Sequence, residues 1–288
     1  MHAKVSARQG SDSNSMTGVW LAFWTRVAIR TALVSVAALS VACSPTPRKS
    51  PAALRGGRHS SAAIVDDLPV TFEAGSPEPP TVALVDRDID WQANAVMRVL
   101  GGIAQTVKYT EYSHGLAVDV RRGIYVFDCS SMAQWVLKRA TPVAENTLSR
   151  GLSWRPLAAD FQRRIARAQP GNERGGWRRV ARVEDAQPGD VIAWLKPKII
   201  DSKNTGHVAF VVLPPLRVAG YSDAYLVRVV DATSLLHADD TRQAGSGFGF
   251  GTILLVVEPD TGAPRAYGWV GLEWRAFETS IAIGRATR

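Results

Sequence analysis

Apolar residues recur at three- and four-residue spacing through Ile89, Ala93, Val96, Met97, Leu100, Ile103, Ala104 and Val107. That spacing is the stripe of a helix burying one face, with Asp88 or Asp90 as its N-cap. The apolar run 123–127 reads as a strand, and an amphipathic helix opens directly after it at Cys129. This second helix is expected to reach about Lys138 and to stop before Pro142, with Met132, Val136 and Trp135 on its buried side. A third helical pattern covers Leu157 to Ala168, where Asp160 and the arginines face water. Strands follow at about 191–195, 207–213, 225–231 and 252–257, with Gly268-Trp269-Val270 and Glu273-Trp274 as a candidate last pair. Gly245, Gly247, Gly249 and Gly251 lack the spacing of a dinucleotide-binding loop and predict a bend leading into the strand from Thr252. Helices before strands, joined by hairpin-like connections, predict an α+β fold.

The N-terminal 85 residues have a different character. Arg26 and Arg30 precede an apolar stretch, Thr31 to Ala42, that is too short to span a bilayer. Basic, then apolar, then small residues are the order of an export signal, so residues 1–42 are expected to be a signal peptide. A start at Met16 would give it ordinary length. Cys43 stands where a lipoprotein signal places the cysteine that is acylated. Ordinary cleavage near Ala42 is the alternative, and both readings put the mature protein beyond the inner membrane, in the periplasm or outer envelope. Residues 43–85, rich in Pro, Ala and Arg, read as a flexible tether. Residues 86–288 are then one folded domain with an Arg-rich insert at about 140–180.

Of the formal net charge of +8, residues 1–42 contribute +3. The remaining mild excess suits an anionic polymer or a headgroup surface, and equally an ordinary solvated surface. No nucleic-acid module, Walker-type loop or zinc-spaced Cys/His set is present in the sequence, so neither metal nor cofactor is expected.

Two cysteines occur, Cys43 and Cys129, and a disulfide between them is not expected if Cys43 sits on a tether. Cys129 would then be an unpaired thiol outside the cytoplasm. A helix N-terminus stabilises a thiolate through its partial positive charge and unpaired N–H groups, and an adjacent imidazolium adds to this. Cys129 is therefore the candidate nucleophile; a buried apolar cysteine is the competing reading. The base must come from His114, His207 or His237, since His2 and His59 lie in the signal and tether. His207 is favoured because it begins the apolar strand Val208-Ala209-Phe210-Val211-Val212, against the alternative of a histidine that merely caps a strand. Asp231, at the end of the next strand, is the candidate third group that holds the imidazole; a turn-former before Thr233 is the other reading. His237 and Asp239-Asp240-Thr241-Arg242 are candidates to line the cleft or replace Asp231.

The ordered set Asp128-Cys129-Ser130, Pro188-Gly189-Asp190, Gly206-His207-Val208 and Val229-Val230-Asp231 resembles the NlpC-type cell-wall cysteine peptidases of the papain-like superfamily, over about residues 108 to 258. Here Ser131 and Met132 stand where that family usually has Gly and an aromatic, and the Cys-to-His separation is long. The resemblance implies a papain-like fold, with N-terminal helices including the nucleophile helix packed on a mostly antiparallel sheet. It also implies that Asp128 and Ser130 contact the substrate amine, that Tyr112 helps bind the oxyanion, and that the substrate is a peptidoglycan stem peptide, with γ-D-glutamyl bonds the leading candidate. The expected reaction is amide hydrolysis through a thioacyl enzyme. An acyltransferase or amidase on the same scaffold is a second expectation. A tethered, non-catalytic wall-binding lipoprotein, using Trp154, Trp177 and the arginines, is a third.

Overall fold

The computed structural model describes residues 70–71, 86–242, 245–269 and 275–288. The expected signal peptide, Cys43 and most of the expected tether lie outside the described residues, as do Val270, Glu273 and Trp274. In chain order the strands and helices are β1 (Val70–Thr71), α1 (Ala95–Thr106), β2 (Tyr109–Tyr112), β3 (Ala117–Asp119), β4 (Ile124–Phe127), α2 (Cys129–Ala140), α3 (Pro142–Ser149), α4 (Ala158–Ala166) and β5 (Trp177–Val180). They continue with β6 (Val191–Leu195), β7 (Gly206–Val211), β8 (Leu216–Arg217), β9 (Ala224–Thr233), β10 (Gly247–Val257), β11 (Pro264–Trp269), β12 (Arg275–Glu278) and β13 (Ile281–Ala286). The architecture is α+β: four helices on a large antiparallel sheet, counted among the described residues.

The helices form for local reasons. Asn94, rather than Asp88 or Asp90, caps α1: its side chain accepts from the Met97 N–H at 3.0 Å. Asp88 lies in a one-turn 3₁₀ segment, and Asp90 spends its carboxylate on the Gln92 N–H, so the α-helix starts later than expected. Asn94 also donates from Nδ2 to the Pro188 carbonyl at 2.7 Å, which ties α1 to the turn before β6. The predicted stripe holds, with Val96, Met97, Leu100 and Ile103 buried. Pro142 ends α2 and opens α3 at its first position, where a missing N–H does no harm. Inside the expected insert, α4 buries Phe161 and Ile165 against β6 and β13.

The sheet order is β1-β12-β11-β10-β9-β7-β6-β13-β5, with β8 paired to β9. Strand β1 falls inside the segment expected as tether and pairs with β12 through Val70 and Ala276. The last strands also differ from expectation: Gly268 and Trp269 end β11, while β12 and β13 follow, and β13 returns to sit between β6 and β5. Thr279, between β12 and β13, donates from its N–H to Arg265 on β11 and from Oγ1 to Leu195 on β6. The sheet is thereby curled, with two apolar faces. Val191, Ala193, Val208, Phe210, Val230 and Ala232 pack against α1, α2 and α4. Ile192, Trp194, Ala209, Val211, Val227, Val229, Tyr267 and Trp269 fill the inner side. Strand β9 is consequently buried along its whole length. A small second sheet, β2-β4-β3, delivers the chain into α2.

No helix among the described residues is long and apolar enough to cross a membrane. If α4 belongs to the core, Phe161→Ala should destabilise the protein by about 3–5 kcal/mol, because a large ring fully shielded from water leaves a cavity. Urea unfolding of the variant measures this, and a change below about 1 kcal/mol would mark the insert as an appendage.

Candidate active site

Strand β4 ends at Phe127 and α2 begins two residues later, with Asp128 as N-cap. The Asp128 carboxylate accepts from the Ser131 N–H at 2.8 Å and from the Ser131 hydroxyl at 2.9 Å, while the Ser131 hydroxyl oxygen accepts from the Asp128 N–H at 2.9 Å. This reciprocal box fixes the first turn. Cys129, unpaired and 5% exposed, is the first helical residue, so its N–H and that of Ser130 point out of the helix end without an intrahelical acceptor.

His207 is the second residue of β7, opposite Trp194 on β6. It reaches that place because Gly206 has φ +143°, and a Cβ there would sit 1.8 Å from the Trp194 carbonyl oxygen. The imidazole is held between Trp194 and Trp269, with ring centroids 5.0 and 5.4 Å away. Its Nε2 lies 2.7 Å from Oδ2 of Asp231, which leaves Nδ1 free of that carboxylate. Burial disfavours the charged ring, but negative charge at Cys129 and the hydrogen bond that the ring donates to Asp231 outweigh it and push the His207 pKa up to about 10.

Asp231 is fully buried on β9. Burial alone would raise its pKa; hydrogen bonds from His207 and His237 and the charge of Arg242 instead hold it well below the usual carboxylate range. Arg242 donates to Oδ1 of Asp231 and to the carbonyls of Gly247 at 2.7 Å, Asp231 at 2.9 Å and Gly249 at 3.2 Å. His237, expected to line the cleft, instead lies behind Asp231. Its Nε2 is 3.3 Å from Oδ2, its Nδ1 is 3.3 Å from the Thr252 carbonyl, and its ring stacks on Trp269 at 4.0 Å.

The glycines predicted as a bend explain this placement. Gly247, Gly249 and Gly251 belong to β10, paired residue for residue with β9. A Cβ on Gly249 would come 2.4 Å from the Arg242 side chain, and one on Gly251 would come 2.1 Å from the His237 ring. The bare strand face is the bed on which residues 237 to 242 lie. Its two-residue glycine spacing was the signal available in the sequence.

Tyr112, at the end of β2, faces the same space. Burial first, and then the negative charges of Cys129 and Asp128, raise its pKa, so its hydroxyl stays protonated and available as a donor. Asp128 and Ser130 are buried, and sequence reasoning missed their partner. Arg155 donates from Nη1 to Oδ1 of Asp128 at 3.1 Å and to the Ser130 hydroxyl at 2.8 Å, and from Nη2 to Oδ2 of Asp128. His114, the third histidine weighed as base, is 71% exposed on its side chain and sets Nδ1 3.1 Å from the same Oδ2. Asp128 stays ionised because hydrogen bonds from Ser131, His114 and Arg155 outweigh burial. Trp177 is fully buried, donating its indole N–H to Ala144, whereas Trp154 is 70% exposed.

The structure therefore hydrogen-bonds His207 to Asp231, and the charge of Cys129 acts on His207 and on Tyr112. No group of His, Cys, Asp and Glu among the described residues is arranged to hold a metal ion. No protein-family model, curated protein or solved structure matches this chain.

Two outcomes follow from this geometry. Gly249→Ala should displace Arg242 from Asp231 and destabilise the protein by about 3 kcal/mol or more, as breaking a buried ion pair does; a near-neutral result in chemical denaturation would show that the loop does not depend on the bare strand. The pH dependence has a definite sign. The folded His207 pKa, about 10, exceeds its ordinary 6.5, so its stabilising contribution is complete below 6.5 and is lost as pH rises through about 10. The stability difference between the natural protein and His207→Gln should therefore shrink from pH 7 to pH 10, and a flat difference would mean a neutral ring in the folded state.

Proposed function

We propose that this protein is a cysteine-dependent amide hydrolase of the cell envelope that acts on peptidoglycan stem peptides, on a papain-like scaffold of the NlpC type. The observation carrying the reading is a His207 ring set 2.7 Å from Oδ2 of Asp231 and raised in pKa by the charge of Cys129. A thiol at the first position of a 12-residue helix, beside an imidazole held by a fully buried carboxylate, is the arrangement that makes a sulfur nucleophile at neutral pH.

In the proposed cycle the Cys129 thiolate attacks the amide carbonyl carbon. The backbone N–H of Cys129 and the Tyr112 hydroxyl stabilise the oxyanion. The imidazolium of His207 gives its proton to the leaving nitrogen as the C–N bond breaks, producing a thioester and a free amine. Water then attacks the thioester while His207 takes its proton, and the thiolate leaves as the acid is released. Proton transfer by a positioned imidazole contributes typically about 10² to 10⁴ in rate. Asp231 holds the ring in the tautomer that presents Nδ1 to sulfur, and Arg242 and His237 hold Asp231.

Export through residues 1–42, a lipid anchor at Cys43 and a γ-D-glutamyl bond as the point of cleavage are parts of the same proposal, resting on the motif order and on the composition of the N-terminal segment. The wall-binding alternative is weakened because Trp177 is core rather than surface.

Alkylation of Cys129 by iodoacetamide at pH 7 should be fast and should drop about tenfold or more in His207→Ala, since the imidazolium partner of the thiolate is then gone. Mass spectrometry locates the adduct. A slow thiol unaffected by His207→Ala would remove the nucleophile from the proposal. A fast one justifies incubating the protein with muropeptides and looking for a thioester on Cys129.

A further inference from the structure

The carboxylate beside the nucleophile is already matched by a cation of the protein's own. Arg155 meets Asp128 end-on, Nη1 to Oδ1 and Nη2 to Oδ2, and the second proton of Nη1 goes to Ser130. Asp128 also receives Ser130, Ser131 and His114, so both of its oxygens are occupied. An ammonium group arriving at Asp128 would have to displace a guanidinium that makes three hydrogen bonds there. The expected contact of Asp128 and Ser130 with a substrate amine is thus filled from within.

A guanidinium has five N–H donors in a rigid fork. Three are used. The Nε–H and the outer N–H of Nη2 have no partner among the described residues, and they lie parallel along the other edge of the group. Two parallel N–H donors on a permanently charged plane are the complement of a carboxylate. The side chain as a whole is 27% exposed. It also sits beside the nucleophile, because the two residues it holds, Asp128 and Ser130, flank Cys129 in the chain.

We propose that Arg155 is a specificity-determining residue whose open edge receives a carboxylate carried by the acyl donor close to the scissile carbonyl, and that this acyl donor presents no free ammonium to Asp128. The inference rests on the nucleophile reading of Cys129 for its place in catalysis, while the carboxylate site itself is testable without any thiol chemistry.

Two thiol reagents that differ in charge report on the site directly. Iodoacetate and iodoacetamide both transfer a carbon to sulfur with loss of iodide, and only the first brings a carboxylate. The ratio of their rates at Cys129 should exceed that of an exposed peptide thiol. It should fall about tenfold in Arg155→Ala and only partly in Arg155→Lys, which keeps the charge and loses the fork. A ratio that Arg155→Ala leaves unchanged overturns the proposal. In Cys129→Ala, calorimetric titration should show glutarate binding and glutaramide not, with glutarate binding lost in Cys129→Ala/Arg155→Ala. Equal or absent binding of the two probes overturns the carboxylate site and says nothing against the thiolate, which the His207→Ala experiment decides. Glutarate binding together with an unreactive Cys129 supports the carboxylate site and removes the catalytic reading instead.

Discussion

A carboxylate with no exposure to water lies near the C-terminal end of a strand that is buried along its whole length, and much of the site exists to make that charge tolerable. An uncompensated buried charge costs several kcal/mol even after the surroundings relax. Asp231 is compensated by Arg242 on Oδ1 and by two histidines on Oδ2. Arg242 must come from outside the strand to do this, so the chain after β9 folds back across β10. It has room because β10 shows no side chain at Gly249 or Gly251. The glycine run, the loop and the orientation of His207 are consequences of one buried charge, and none of them is independent of the others.

A second carboxylate is managed differently. Asp128 caps α2, and its bonds to Ser131 hold the first turn that carries Cys129. Its cation, Arg155, is more than a quarter exposed on its side chain, while that of Arg242 is fully enclosed. The enclosed pair builds a rigid platform under the imidazole. The open pair leaves donors beside the thiol. Two Asp–Arg contacts within one site thus divide the work of support and of reach, and burial decides which does which.

The parts that were legible in the sequence are those whose signal is local. The stripe of α1, the thiol at the head of α2 and the histidine near the head of an apolar strand each follow from spacing within about ten residues, while the strand expected to end at Asp231 runs on to Thr233. What escaped depends on distant partners. Arg155 finds Asp128 from 27 positions away, in a segment with no periodic pattern of its own. Strand β13 joins β6, and nothing in Ile281-Ala282-Ile283 says which strand will receive it. The N-cap of α1 was misplaced because Asp and Asn carry the same propensity, and the choice fell to Asn94 through its bond to Pro188 in a remote turn. The glycines of β10 are visible in the sequence, where they predict a bend. Glycine in a strand marks either a turn or a close approach, and the pattern alone does not distinguish the two.

The position of His207 at the start of its strand follows from the two faces of the sheet. Along β7, Val208 and Phe210 point to the helical layer, whereas Ala209 and Val211 point to the inner side of the curled sheet. His207 shares the inner face, against Trp194 and Trp269 and next to the carboxylate of Asp231. Cys129 arrives from the opposite layer, on α2. At the start of the strand Gly206 lets the backbone press against Trp194, which sets the imidazole on the inner face with its Nε2 on the Asp231 carboxylate.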